Sequence, residues 1–366
     1  VYTLFILLTG NTQTSNPHTH LIPYNINGGD NLSLSDDLDV CRSDFYGSVD
    51  NAGMFWQIPT IQCFHSIVPG SVMNFYNSID VTRDVASRPD ITHYALRGLT
   101  SCKYLFDDDS DYDNFGDIST GENTKMPGWS YVGHQNGYYI WQNDNYIPMG
   151  FSYDFYITQE QYESLSESTR ESVLLHCLVL SDEQIETYGD LLSPMTNIYS
   201  LSWDENQYKT DCKDRARTSC SSFAYTTSGF TAVSSGDKER LVFFSVPYES
   251  GWSATVNGEP VQVEQVSVGF MAVKVPAGES TIVFTYETPG LKIGALISLI
   301  SVLLLALYLL CARFFRRRQV PVASRSPFTP RPFSHFTGLH QDAHFSPKHP
   351  ILVKPEEDPL EKEEES

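Results

Sequence analysis

Residues 293–312 read IGALISLISVLLLALYLLCA, 20 residues without a charge. A helix of that length rises about 30 Å, the thickness of a bilayer's hydrocarbon core. A core helix of a soluble protein would carry a polar stripe, and this run has none. Arg313, Arg316, Arg317 and Arg318 follow it, while only Lys292 stands close on the other flank. Arginine-rich flanks stay on the cytoplasmic side. The run is therefore expected to span the cell membrane once, with the main body extracytoplasmic and the tail cytoplasmic. The four arginines are expected to act as a cytoplasmic anchor on anionic lipid headgroups.

The charge is distributed to match. Residues before Lys292 hold 14 Lys/Arg against 37 Asp/Glu, and the remainder holds 10 against 8. Phosphate contact requires a basic surface, so a nucleic-acid partner is not expected for the body. Six of the seven cysteines precede the apolar run and Cys311 lies within it. In an oxidising compartment six cysteines permit 15 disulfide connectivities. Only Cys212 and Cys220 are close in sequence. On a helix they would stand roughly 12 Å apart, beyond the roughly 7 Å that a bridge tolerates. No Cys/His spacing suits zinc, and no metal, cofactor or catalytic residue is expected.

Residues 1–9, VYTLFILLT, are apolar but too short to span. They fit the end of a preceding membrane helix in a longer protein or the remnant of a signal sequence, and the first is favoured. Residues 10–42 have linker composition. Residues 43–228 read as an α+β extracytoplasmic domain, with helices expected at 158–178, 182–192 and 205–223. From 229 to 290 the period changes to two, and an all-β sandwich is expected. Its strands fall at 230–234, 240–247, 252–256, 260–266, 270–275 and 280–286, with Asn257-Gly258 as a hairpin turn. After the transmembrane helix, 313–366 reads as a disordered tail, ending in PEEDPLEKEEES.

Three features carry candidate chemistry. Aromatic residues interleave with amides between 129 and 146. Trp129, Trp141 and Tyr146, together with Trp252, are the candidate glycan contacts, because sugar faces pack on rings while hydroxyls need donors and acceptors. The same alternation also builds an ordinary strand core. Asp107, Asp108, Asp109, Asp111, Asp113 and Asp117 form an acidic run. It reads as a solvated loop or as a distorted calcium loop with Phe115 at one ligand position. His65 lies near Cys63 and Ser66 but has no oriented third partner. His335, His340, His344 and His349 in the tail are too irregularly spaced for a site.

The stretch LVFFSVPYESGWSATVNGEPVQVEQVSVGFMAVKVPAGESTIVFTYETPGLKIGALIS resembles the C-terminal end of the bacterial membrane protein YfhO family. Pro247, Tyr248, Gly251, Trp252, Asn257, Gly258, Gly269, Phe270, Pro276, Gly278, Tyr286 and Gly294 carry the resemblance. Upstream, LRGLTSCKYLF and NDNYIPMGFSYDFYI are also similar to family stretches, in order. The resemblance implies a many-helix GT-C type glycosyltransferase that adds sugars to envelope polysaccharide such as teichoic acid, from a lipid-linked sugar. In such enzymes the catalytic carboxylates lie near the start of the chain. This chain is thus expected to be the C-terminal region of a longer enzyme, without the catalytic half. The alternatives are a single-pass surface protein that binds glycan without catalysis, and a calcium-stabilised adhesion domain.

Overall fold

The computed structural model describes residues 32–34, 40–48, 50–64, 66–82 and 86–318. The segment 1–9, most of the linker, His65 and the tail from 319, with its four histidines, lie outside them. One compact unit runs to Ser298 and is a mixture of α and β elements. A second begins at Leu299, inside the apolar helix, and its described part is the rest of that helix to Arg318.

A four-stranded mixed sheet opens the first unit, in the order Arg42–Tyr46, Cys102–Asp108, Tyr138–Asn143, Trp129–Gln135. The first pair is parallel and the others antiparallel. Asn136 (φ 52°) and Gly137 (φ 76°) turn the hairpin, in the positive-φ geometry that suits Asn-Gly. Both faces are covered. Phe45, Trp56, Tyr104, Phe106 and Tyr138 cluster on one side, and Leu105, Phe115, Trp129 and Trp141 on the other.

Next comes a parallel sheet, Ser193–Pro194, Phe155–Thr158, Cys177–Leu180. The helices Gln159–Glu163 and Glu167–His176 form the crossover between its two longer strands. Here the expected single helix 158–178 is two helices and a strand. Thr158 caps the first in a full capping box with Gln161. The chain then breaks, because Ser166 adopts an extended backbone (ψ 143°). Cys177–Leu180 is apolar and buried at every position, as a parallel strand covered on both faces should be. Ser181 and Gln184 form a second capping box at the helix Asp182–Tyr188.

Two antiparallel sheets follow. One has the order Ser222–Thr226, Gly229–Gly236, Gly278–Tyr286, Trp252–Val256, Glu259–Val261; the other Glu264–Val266, Phe270–Val275, Arg240–Pro247, Phe151–Ser152. Phe230, Val242, Phe244, Met271, Val273, Ile282 and Phe284 from both sheets share one core. Each fully buried side chain of this size contributes about 1.5–3 kcal/mol. The opposite side of the second sheet, at Leu241, Phe243 and Phe270, joins the large upstream core containing Phe75, Phe151 and Leu174. A boundary at residue 229 is therefore crossed twice. Phe151–Ser152 pairs with Arg240–Pro247, and Ser222–Thr226 edges the five-stranded sheet. The expected helix 205–223 is Glu205–Arg217, followed by that edge strand. Cys212 is helical, Cys220 lies beyond, and both thiols are free.

The helix Leu291–Arg318 contains a 26-residue stretch, Leu291–Arg316, long and apolar enough to cross a membrane, with none of it buried.

Candidate functional site

The four candidate glycan contacts do not converge. Trp141 has no exposed surface and Trp129 retains 5%. Their rings sit 5.6 and 5.8 Å from that of Phe115. Rings covered by other rings offer no face to a sugar, so these two tryptophans are core residues. Tyr146 packs on the opposite side of the same sheet, with the Lys103 ammonium 5.1 Å from its ring centroid. Burial pushes its phenol well above the usual value. Trp252 is half-buried in the five-stranded sheet, 5.1 Å from Tyr286 and 5.7 Å from Phe230. Arg313 and Arg316–Arg318 occupy the last turns of the apolar helix.

The acidic run serves separate local purposes. Asp108 accepts from the Ser110 amide and hydroxyl, and Asp117 does the same for Ser119. Asp113 takes the Tyr46 hydroxyl at 2.6 Å and pairs with Lys125. Asp107 is fully buried. It accepts only the Phe115 amide, at 3.0 Å, and burial raises its carboxyl to about 7. Among the described residues no three carboxylate, His or Cys side chains are disposed to hold a metal ion.

What does converge is a polar groove of about 670 Å³. Asn74 and Asn77 reach it from the helix Gly70–Ser78, and Gln159 and Glu163 from the crossover. Gln184 and Gln265 come from two further segments. The floor is rigid. Arg170 donates to the carbonyls of Leu165, Ser78 and Glu163 at 3.2, 2.9 and 2.8 Å and lies over the Tyr162 ring. Tyr162 bonds the Ser78 hydroxyl at 2.9 Å, and burial pushes its phenol up to about 12.

One wall is a strained turn. Ser267 (φ 47°) and Val268 (φ 71°) both occupy the left-handed region, which disfavours a β-branched residue strongly. Hydrogen bonds over-determine it. The Ser267 amide donates to Val179 O at 3.0 Å, and Gln265 Nε2 donates to Val268 O at 2.8 Å. Gln184 Nε2 donates to Glu264 Oε2 and to Gln265 O, both at 2.9 Å. Amides offer donors and acceptors together, which suits a hydroxyl-rich ligand. Asp80, Glu163 and Glu167 on the lining disfavour an anion. Sequence order hid this groove, because its side chains come from separate segments brought together by the crossover and the docked turn.

Ser250–Ser253 and residues 286–293 border a separate surface depression, which Trp252 helps to line. Gly251 is required there, since a Cβ would stand 2.3 Å from Glu287 O. Four residues separate the last strand, ending at Tyr286, from the helix beginning at Leu291.

Residues 193–298 match the model of a family described as "Bacterial membrane protein YfhO". "Uncharacterized protein YfhO" of Bacillus subtilis (strain 168) is 36% identical over 72 residues, covering 20% of this chain and 8% of that protein. The chain thus aligns with a small fraction of that relative's length. No solved structure matches.

Proposed function

We propose, from the membership of residues 193–298 in the YfhO family of bacterial membrane proteins, that this chain is the extracytoplasmic region of a membrane glycosyltransferase. Its substrates are a lipid-linked sugar and a cell-envelope polymer. The observation that carries the reading is continuity. The family match runs from the edge strand Ser193–Pro194, through the groove wall at 265–268 and the Trp252 depression, into the apolar helix. The four arginines in the last turns of that helix keep the tail cytoplasmic and hence the body outside. Because only four residues join the last strand to the helix, the covalent reach of the body from the bilayer is short.

Within this reading the groove holds the neutral sugar units of the acceptor near the membrane. Its carboxylates turn polymer phosphates away, and its amides hold hydroxyls. The test uses cells of the source organism with and without the gene, and measures sugar substitution of envelope polymers by NMR. Loss of one substituent in the deletion, and its reduction severalfold by a combined Asn77→Ala, Gln265→Ala variant at equal protein level, supports the reading. An unchanged polymer in the deletion strain overturns it. The groove alone also favours a second reading, glycan binding without transfer. In that case the deletion leaves polymer composition intact, while the purified chain retains polysaccharide through the same two residues.

A further inference from the structure

Arg42 opens the mixed sheet, and its charge has no carboxylate partner among the described residues. Nη1 donates to Thr100 O at 2.7 Å and Ser245 Oγ at 3.0 Å, and Nη2 to Ser245 O at 2.9 Å. Nη1 also lies 3.9 Å from Met149 Sδ, and all four acceptors are neutral. Arg97, on the helix Tyr94–Leu99, shows the usual alternative, a buried pair with Asp44 at 3.0 Å. A guanidinium has five N–H donors. The three bonds to oxygen leave Nε–H and one Nη2–H, which lie on the same edge and match the two oxygens of a carboxylate or phosphate.

That guanidinium lines a cavity of about 250 Å³. Ile61, Val72, Phe75 and Phe270 supply apolar wall, and no acidic residue lines it. This is the reverse of the polar groove, whose lining includes three carboxylates and whose one arginine is held by carbonyls. Three sequence neighbours of lining residues are large, apolar and open to solvent. Phe64 follows Cys63, Ile67 precedes Val68, and Met73 follows Val72, with 45%, 89% and 37% of their surfaces exposed. Large apolar side chains exposed within one residue of a cavity's lining add apolar surface to that part of the protein.

We infer that this cavity binds an anionic amphiphile, a lipid whose carboxylate or phosphate head sits on the free edge of Arg42. The alkyl chain runs out over Phe64, Ile67 and Met73. A cation facing an apolar cavity without a counter-ion is costly, and an anionic head supplies one. The apolar wall of Ile61, Val72, Phe75 and Phe270 selects a chain-bearing anion over a free one. The site stands independently of sugar transfer.

The experiment is photocrosslinking of the full chain in phosphatidylcholine nanodiscs with a diazirine-bearing dodecyl phosphate, read by peptide mass spectrometry. Labelling of the membrane helix serves as the internal reference. Adducts are expected on the cavity walls, between 61 and 75 and around Phe270. Excess dodecyl phosphate or laurate should displace the label, and dodecanol or inorganic phosphate should not. Arg42→Gln should lower wall labelling at least tenfold. Should that variant fail to fold, Ile67→Ser, at a solvent-exposed position, should still lower it about threefold. Label confined to the membrane helix overturns the inference. So does equal wall labelling by a neutral diazirine alcohol, or displacement by inorganic phosphate, which would make this a free-phosphate site.

Discussion

Between Ser222 and Tyr286 every strand pairing is antiparallel, and three of the six are hairpins. Ser222–Thr226 pairs with Gly229–Gly236, Trp252–Val256 with Glu259–Val261, and Glu264–Val266 with Phe270–Val275. Among the described residues between Arg42 and Arg217 there is one hairpin, Trp129–Gln135 with Tyr138–Asn143, and the chain also joins distant segments in parallel. Arg42–Tyr46 pairs with Cys102–Asp108, and Phe155–Thr158 with Cys177–Leu180, both in parallel. The two regions also bury different chemistry. Upstream, Arg97–Asp44, His93–Glu171 and His176–Asp211 cross-link elements at 3.0, 2.9 and 2.6 Å. Downstream, Arg240 is the buried charged residue, held by the Ser234 hydroxyl at 2.8 Å. Long-range parallel pairing needs specific polar contacts to select its partner, whereas a hairpin's register follows from its turn.

The strongest challenge to this contrast is to cut the strand the regions share. Phe151 is fully buried, 5.0 Å from Phe243 and 5.5 Å from Tyr153. Phe151→Ala should cost about 3–5 kcal/mol. If the two regions fold as one unit, urea unfolding should stay a single transition by tryptophan fluorescence and by far-UV circular dichroism, moved to lower urea. Two separated transitions would mean that the regions are independent domains.

A smaller effect separates the regions by pH. Burial raises Asp107 from 3.8 to about 7, so its folded form holds a proton that its unfolded form releases earlier. The sign follows: its contribution is fully present below the unfolded value and is lost as pH rises towards 7. Stability should fall between pH 4 and pH 7, by no more than about 4 kcal/mol at about 1.4 kcal/mol per unit. Asp107→Asn should flatten that fall, measured as urea midpoints at pH 5 and pH 8. An undiminished fall in the variant would assign the dependence to another group.

Legibility in the sequence follows the same division. Asn257 (φ 53°) and Gly258 (φ 88°) form the turn that their chemistry announces. Trp252–Val256 falls where period two puts it, whereas the expected strand 260–266 is two, Glu259–Val261 and Glu264–Val266, in different sheets. The crossover misleads, because Cys177–Leu180 continues an apolar run that suits a helix equally well. Only its pairing with Phe155–Thr158 decides the matter. The aromatic alternation at Trp129–Tyr146 reads correctly as strands, but the burial of Trp141 depends on Phe115, which reaches it from a loop. The groove and the Arg42 cavity are invisible in sequence because each joins segments far apart in the chain.

The two left-handed turns offer a finer comparison. Gly258 faces open space, so a Cβ there meets nothing and only the backbone preference matters. Gly258→Val should destabilise by about 1–2 kcal/mol through the left-handed strain alone. Val268 already carries that strain, held by the Ser267 bonds to Val179. Urea midpoints for Gly258→Val check the value. A neutral result would mean that the hairpin does not need its turn chemistry, and the local rule for the downstream region would fail.

The smallest expected effects ask whether the upstream region contains local signals at all. Thr158 and Ser166 both stand at helix N-caps with extended backbones. The Thr158 hydroxyl accepts from the Gln161 amide at 3.1 Å, while Gln161 Oε1 accepts from the Thr158 amide at 2.9 Å. The Ser166 hydroxyl meets only the hydroxyls of Ser168 and Thr169, at 3.2 and 2.7 Å, and caps no amide. Thr158→Ala should therefore cost about 1 kcal/mol, and Ser166→Ala less than about 0.5 kcal/mol. Thr158→Asp should restore most of the loss, because a carboxylate accepts the same amide bond and favours the positive end of the helix. Equal costs at the two positions would mean that cap identity is read from helix position alone. A larger cost at Thr158 with rescue by Asp would mean that the upstream region follows local rules at helix starts, and tertiary pairing decides only its strands.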